Sequence, residues 1–226
     1  MSFTGLNVGS AKETNEYNDL MFYGQVGAGK THLLATAQNY EETSELLFIS
    51  AEGGEDTLRN VPNGEDIDVV RINSYEQLNA VYEFIALHCN YRDKYLAGNE
   101  EFKDKLAKIE MQFKGLDKKP EEPTIYRSVG IDHITELHSY AMYFLHGIDL
   151  NDTKLDEEPE QRTRNDWGKA GEMIRKLVRT FRDLPIHVFI NAHEKRDRDD
   201  EDQIRVAPKL PGQLVEDVPG LIDVVA

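Results

Sequence analysis

The chain has 226 residues, of which 39% are hydrophobic and 30% are charged, and its formal net charge is −16. This size allows one domain with a sizeable core, and no apolar run approaches the roughly 18 residues that a transmembrane helix needs, so no membrane partner is expected. The net charge opposes binding to polyanions. The single cysteine, Cys89, excludes an internal disulfide, and residues 1–5 do not begin a secretory signal, so the cytoplasm is the expected location.

The first part of the chain alternates short apolar runs with segments of helical periodicity. Apolar residues at helical spacing predict a helix over residues 31–40. Ser74 followed by Gln77 predicts a capping box that begins a second helix. The apolar runs that predict strands here are residues 20–23, 46–50 and 67–72.

The rest of the chain continues this alternation around one interruption. Residues 87–119 are polar and rich in Lys and Glu, so we predict a helical insertion there. The acidic residues 149–160 indicate a mobile loop, and the basic stretch 162–182 is better explained as the solvated face of a helix than as a binding surface. The remaining predicted elements are strands at 126–131, 186–191 and 221–226 and helices at 135–145 and 166–183. The fold class is therefore α/β, a single domain over residues 1–226 with a mainly parallel central sheet flanked by helices.

A glycine-rich motif follows the first predicted strand. Residues 24–31 read GQVGAGKT, and Gly-x-x-x-x-Gly-Lys-Thr between a strand and a helix is typical of a P-loop. Its backbone N–H groups would hold the β-phosphate of ATP, Lys30 would reach the β- and γ-phosphates without contributing to packing, and Thr31 would bind Mg²⁺. A chance glycine turn is the alternative, and the flanking strand and helix argue against it. The predicted ATP-binding residues are Gly24, Gln25, Val26, Gly27, Ala28, Gly29, Lys30, Thr31 and His32.

Three polar residues follow predicted strands, where ligands gather at the edge of an open parallel sheet. Asp132 is expected to hold Mg²⁺ together with Thr31, although Asp in this position is also a common helix N-cap. Glu52 is either the carboxylate that orients and activates the attacking water or a solvated loop acid. His193 is placed to contact the γ-phosphate and report its loss. The predicted catalytic residues are therefore Glu52, Lys30 and His193, and the predicted metal ligands are Thr31 and Asp132.

Together these segments resemble the RecA-like P-loop ATPases, and among them the small AAA-family ATP-binding proteins that phages encode beside single-strand annealing and recombination functions. The resemblance covers most of the chain. It is carried by the P-loop at 24–31, Glu-Gly-Gly at 52–54, Asp132, Trp-Gly at 167–168, His-Glu-Lys at 193–195 and PKLPG at 208–212. It implies Mg²⁺-dependent ATP hydrolysis, with Glu52 as the catalytic glutamate, Asp132 as the Mg²⁺-associated acid and His193 as the γ-phosphate sensor. It also implies that the strand at 186–191 lies between those of the P-loop and Asp132.

The resemblance further implies partners. RecA-like ATPases commonly complete their sites across a subunit boundary, so we expect a homo-oligomer in which Lys195, Arg196 or Lys209 serves a neighbour's nucleotide. Single-stranded DNA would be held by loops after Asp132 and after His193. Phage or host recombination proteins are further expected partners, in the cytoplasm of a bacterial host. Relatives commonly continue past the last strand, so a missing C-terminal segment is an expectation.

Two departures limit the resemblance, and the residues after His193 leave the partner open. The Asp132 strand contains Arg127 and Ser128 where such proteins are usually apolar, and the insertion is longer than expected. The cations after His193 stand among acidic residues, and no aromatic residue that could stack on a base interleaves with them. The alternative function is a nucleotide-gated loader or assembly factor that acts on a protein partner without binding DNA, which the acidic composition suits slightly better.

Overall fold

The computed structural model describes residues 17–149, 163–198 and 202–226, which form a seven-stranded sheet flanked by helices. The strands are β1 Asp19–Gly24, β2 Leu46–Ser50, β3 Asp68–Arg71, β4 Ser128–Asp132, β5 His187–Arg198, β6 Ile204–Pro208 and β7 Val224–Val225. The α-helices are α1 Lys30–Ala35, α2 Tyr75–Leu96, α3 Glu101–Lys114, α4 Ile134–Leu145, α5 Arg164–Arg182 and α6 Leu214–Asp217. Within the described ranges, no helix is both long and apolar enough to cross a membrane.

The sheet brings the ends of four strands to one edge. Strands run in the order β3-β2-β4-β5-β1-β7 with parallel neighbours, and β6 pairs antiparallel with β5. The predicted position of β5, between the P-loop strand and the Asp132 strand, is confirmed. The register pairs Ser50 with Asp132 and Gly24 with His193. Residues after these strands therefore share the carboxyl edge of the sheet.

Both faces of the sheet are packed, and alternate residues of each strand supply the two cores. Ile49 and Ile131 belong to the larger core, which the sheet shares with α2, α4 and α5. Phe48 and Leu34 belong to the smaller core beneath α1. A Cβ on Gly130 of β4 would stand 2.4 Å from Leu34 Cδ2, so α1 lies this close to the sheet because residue 130 has no side chain.

The predicted helical character of residues 87–119 is observed, with different boundaries. Helix α2 continues to Leu96 without a break, and α3 then packs against it through Phe84 and Phe113, whose stacked rings lie 3.7 Å apart. The buried carboxylate of Glu110 accepts hydrogen bonds from the Thr124 backbone N–H and hydroxyl at 2.8 and 2.6 Å. These bonds tie the α2–α3 hairpin to the chain that enters β4.

Several predicted boundaries need correction. The predicted helix 31–40 ends at Ala35 and continues as a 3-10 turn, Thr36–Asn39. The predicted strand 221–226 shrinks to β7, because Pro219–Leu221 forms a 3-10 turn. Ser74 accepts the Gln77 N–H at 3.2 Å as predicted, but the Gln77 side chain accepts from the Asn73 N–H instead of completing the box. The acidic loop 149–160 lies outside the described residues except for its first.

The expected interruption of the Asp132 strand has a simple explanation. Strand β4 begins at Ser128, so Arg127 precedes it. Ser128 is fully buried, and its hydroxyl donates to the Thr43 carbonyl at 2.6 Å. A satisfied hydroxyl can stand in a core position that an apolar residue would otherwise occupy.

The largest correction concerns β5. The predicted strand 186–191 continues through His193 to Arg198 and pairs with β6, which the sequence did not predict. The cations assigned to a loop after His193 therefore lie on a β5–β6 hairpin, of which residues 199–201 fall outside the described ranges. This hairpin projects from the carboxyl edge of the sheet.

Candidate active site

The P-loop joins β1 to α1 in an open, exposed conformation. Gly27 and Gly29 have φ values of 78° and 88°, which only glycine adopts readily. Lys30 is the first residue of α1, and its Nζ donates to the carbonyls of Gly24 and Gln25 at 3.0 and 2.9 Å. Because Lys30 is 8% exposed, the expectation that it contributes nothing to packing is wrong. Its ammonium group therefore stabilises the conformation of the P-loop.

Thr31 and Asp132 meet beside the P-loop. The Thr31 hydroxyl donates to Asp132 Oδ2 at 3.0 Å, and Asn191 Nδ2 donates to Asp132 Oδ1 at 2.9 Å. Asp132 is 1% exposed, so both bonds satisfy a buried carboxylate. The N-cap of α4 is His133, not Asp132, so the alternative role of Asp132 as a helix cap is wrong. The two residues that the sequence predicted as metal ligands therefore lie in contact.

Glu52 forms a cluster with two histidines from neighbouring strands. Its Oε2 lies 2.8 Å from His133 Nδ1, and its Oε1 lies 2.9 Å from His193 Nε2. The rings of the two histidines are 4.4 Å apart. The sequence thus predicted two of three members and missed His133, whose position directly after Asp132 was the only signal.

The contacts within the cluster shift the pKa values of Glu52 and His133 in opposite directions. Hydrogen bonds, first from His133 and then from His193, hold the pKa of the Glu52 carboxyl at about 2 despite its partial burial. Burial lowers the pKa of His133, but the adjoining carboxylates of Asp132 and Glu52 outweigh burial and raise it to about 9. At neutral pH Glu52 is therefore an ionised carboxylate next to an imidazolium.

A second acid, Glu55, which was not predicted from the sequence, stabilises the loop that carries Glu52. Glu55 accepts from the Ser50 hydroxyl at 2.7 Å and pairs with Arg71 at the end of β3. Gly53 has a φ of 79°, and its N–H donates to Ser50 Oγ at 3.2 Å. Together these contacts fix residues 50–55, the loop after β2 that carries Glu52.

A cavity of about 330 Å³ adjoins the P-loop. It is lined by Gly24, Gln25, Val26, His193, Glu194, Arg196 and Lys209. Arg196 and Lys209, predicted as candidates to serve a neighbouring subunit, therefore face the P-loop of their own chain. Lys195 lies on the opposite face of β5 from Arg196 because strand residues alternate, and it pairs with Asp197 at 2.6 Å.

The Trp167–Gly168 pair of the resemblance lies in the first turns of α5. The Trp167 ring stacks on His138 of α4 at a centroid distance of 5.3 Å. This contact joins two helices on the face of the sheet opposite α1.

A strand–P-loop–helix unit on a mainly parallel sheet flanked by helices defines an α/β fold of the RecA-like P-loop type. A family model described as an AAA domain matches residues 16–226, and the chain belongs to this family. Family membership indicates a P-loop protein that binds and hydrolyses nucleotide. Among curated proteins there is no match.

Proposed function

We propose that the chain hydrolyses ATP in the presence of Mg²⁺. The observation that carries this proposal is the 3.0 Å hydrogen bond between the Thr31 hydroxyl and Asp132, because a P-loop hydroxyl and a strand-end acid are the groups that hold Mg²⁺ in P-loop enzymes. A Cβ on Gly54 would stand 3.2 Å from Asp132 Oδ2, so the absence of a side chain keeps space beside this carboxylate. Mg²⁺ held here would neutralise phosphate charge.

Each residue of the site then has a role. Lys30 exchanges its bonds with two loop carbonyls for the β- and γ-phosphates of ATP. Glu52 orients the attacking water and accepts its proton. While both histidines bind Glu52 its carboxylate is a weak base, with a pKa of about 2, and its basicity rises when His193 turns toward the γ-phosphate. His193 would thus couple nucleotide occupancy to activation of Glu52.

Glu52→Gln tests the role of the carboxylate. We expect ATP binding within a few-fold of wild type and hydrolysis lower by roughly 10²–10⁴, the usual contribution of a general base. Glu76→Gln, the same change on an exposed first turn of α2, is the matched control and should leave turnover unchanged. Wild-type turnover in Glu52→Gln would make Glu52 a loop acid.

We propose that hydrolysis is coupled to handling of single-stranded DNA in phage recombination, repair or replication, with the β5–β6 hairpin as the contact. The hairpin carries cations that already pair with acids: Lys195 with Asp197, Arg196 with Glu194, Arg198 with Asp202 and Arg205 with Glu216. All of these pairs except the one with Glu194, whose side chain is 13% exposed, are exposed at both partners. Exposed pairs contribute only about 0–1 kcal/mol, so phosphate groups can displace their acids. Binding should therefore weaken steeply with salt.

The same pairing favours the second candidate, a nucleotide-gated loader or assembly factor with a protein partner, because the paired hairpin has little free positive charge. ATP turnover with and without single-stranded DNA, at low and high salt, separates the two. Strong, salt-sensitive stimulation that Arg196→Ala and Arg198→Ala reduce supports DNA coupling. ATP turnover that does not change when DNA is added at low salt supports the loader or assembly factor.

A homo-oligomer with nucleotide sites at subunit boundaries also belongs to the proposal. Lys195 is exposed and points away from the cavity that Arg196 lines, so it is the best placed of the three cations to reach a neighbour's nucleotide. A basic residue supplied in this way can raise phosphoryl transfer by about 10³ or more.

A further inference from the structure

We infer that Glu52, His133 and His193 form a binding site for a divalent transition-metal ion of the zinc class, distinct from the Mg²⁺ site. One ligand atom from each residue lies within 4.8 Å of the other two. Two imidazoles and one carboxylate are a donor set that zinc takes in proteins, with an open position left for water or substrate.

The spacing of the donor atoms fits such an ion. Glu52 Oε2 lies 2.8 Å from His133 Nδ1 and 3.2 Å from His193 Nε2. Bonds of about 2.0–2.1 Å in tetrahedral geometry separate neighbouring ligand atoms by roughly 3.3 Å. An ion that replaces the shared protons therefore requires the two ring nitrogens to move away from Glu52 Oε2 by only about half an ångström or less.

The surroundings support His133 as a ligand. Its second ring nitrogen, Nε2, is buried without a hydrogen bond of good geometry but lies 3.0 Å from Asp132 Oδ1, and a carboxylate behind a metal-bound histidine is a usual arrangement. Asp132 is in turn fixed by Asn191 and Thr31. The side chain of His133 is 9% exposed and that of Glu52 is 29% exposed, so the cluster is rigid on one side and open to solvent on the other.

Metal binding at this site should affect ATP hydrolysis, and this consequence rests on the proposed function. An ion bound to Glu52 occupies the carboxylate that would activate water, so the loaded protein binds ATP but does not hydrolyse it. Mg²⁺ does not compete for this position, because it prefers oxygen ligands in octahedral geometry. The cluster thus makes hydrolysis sensitive to transition-metal ions in the presence of excess Mg²⁺.

Metal binding is tested first, without nucleotide. Chelator-treated protein in excess Mg²⁺ is titrated with Co²⁺, whose visible bands report nitrogen-containing tetrahedral sites, and Zn²⁺ is then added to displace it. We expect one equivalent to bind, and His133→Gln, His193→Gln and Glu52→Gln each to weaken binding by about 10–100-fold or more. His187→Gln is the matched control, because His187 begins β5 and lies six residues, or about 20 Å, from His193.

Circular dichroism and thermal unfolding establish that each variant is folded. Co²⁺ bands that are absent from the wild type, or equal in all four variants, would overturn the site. Inhibition of ATP turnover by Zn²⁺ and its recovery with a chelator test the consequence. One-equivalent binding without inhibition leaves the metal site intact and instead contradicts the role proposed for Glu52.

Discussion

Gly130→Ala tests the link between sheet packing and the P-loop. The added Cβ would stand 2.4 Å from Leu34 Cδ2 and 3.3 Å from Cδ1, whereas carbon atoms prefer about 3.5–4.0 Å. Leu34 is 1% exposed and cannot swing into solvent, so α1 must move or Leu34 must repack. Overpacking costs about 1–3 kcal/mol, and the stiffer unfolded chain returns about 0.4–1 kcal/mol. We expect a net loss of roughly 1–2 kcal/mol in the free energy of unfolding.

Because Lys30 is one helical turn from Leu34, the same displacement should weaken ATP binding. Urea unfolding followed by circular dichroism, and nucleotide titration, measure the two effects. Gly168→Ala is the matched control: a Cβ there meets no atom within 4 Å, so this change in α5 should stabilise the protein by up to about 1 kcal/mol. Leu34→Ala added to Gly130→Ala should cost less than it does alone. Equal stability of Gly130→Ala and wild type, or strictly additive effects of the two changes, would refute this reasoning.

Three further predictions concern the site, stability and assembly. Lys30→Ala should abolish hydrolysis and sharply weaken ATP binding in turnover and titration assays, and unchanged turnover would remove the P-loop assignment. Burial and the charge of Asp223 raise the pKa of Asp19 to about 7, so its stabilising contribution is complete below about pH 4 and is lost as the pH rises through 7. Asp19→Asn should therefore be more stable than wild type at pH 8, by on the order of 1–3 kcal/mol, and should lose this advantage at about pH 4. Turnover per subunit should rise with protein concentration and fall in Lys195→Ala, whereas constant turnover over a range where sedimentation shows only monomer would exclude a shared site.

The parts of the fold that the sequence predicted are those with a local signal. Buried parallel strands such as β2 are continuous apolar runs, and the P-loop has fixed glycine, lysine and threonine positions. The outer half of β5 has neither signal, because residues 194–198 are all charged. Its strand conformation depends on hydrogen bonds to β6 across the hairpin, and a run of charged residues has no apolar pattern that would predict this pairing.

The residues of the candidate site also divide into those with a local sequence signal and those without one. Glu52, Asp132 and His193 were predictable because each follows an apolar strand, and polar residues at such ends converge. His133 and Glu55 were not, because their roles depend on which strands are neighbours. The placement of β2 beside β4, and of β4 beside β5, brings His133 between Glu52 and Asp132. No spacing along the chain encodes that contact.

Because β5 runs without a break from His187 to Arg198, only some insertions into the β5–β6 hairpin keep its side chains on their present faces. One strand carries Asn191 beneath Asp132, His193 against Glu52 and Arg196 in the wall of the P-loop cavity. Inserting a single residue after His193 would turn Arg196 to the other face of the strand or force a bulge, whereas inserting two would restore its direction. Length variants of this protein that retain the cavity should therefore differ in the inner half of the hairpin by even numbers of residues, and odd changes should be confined to its tip.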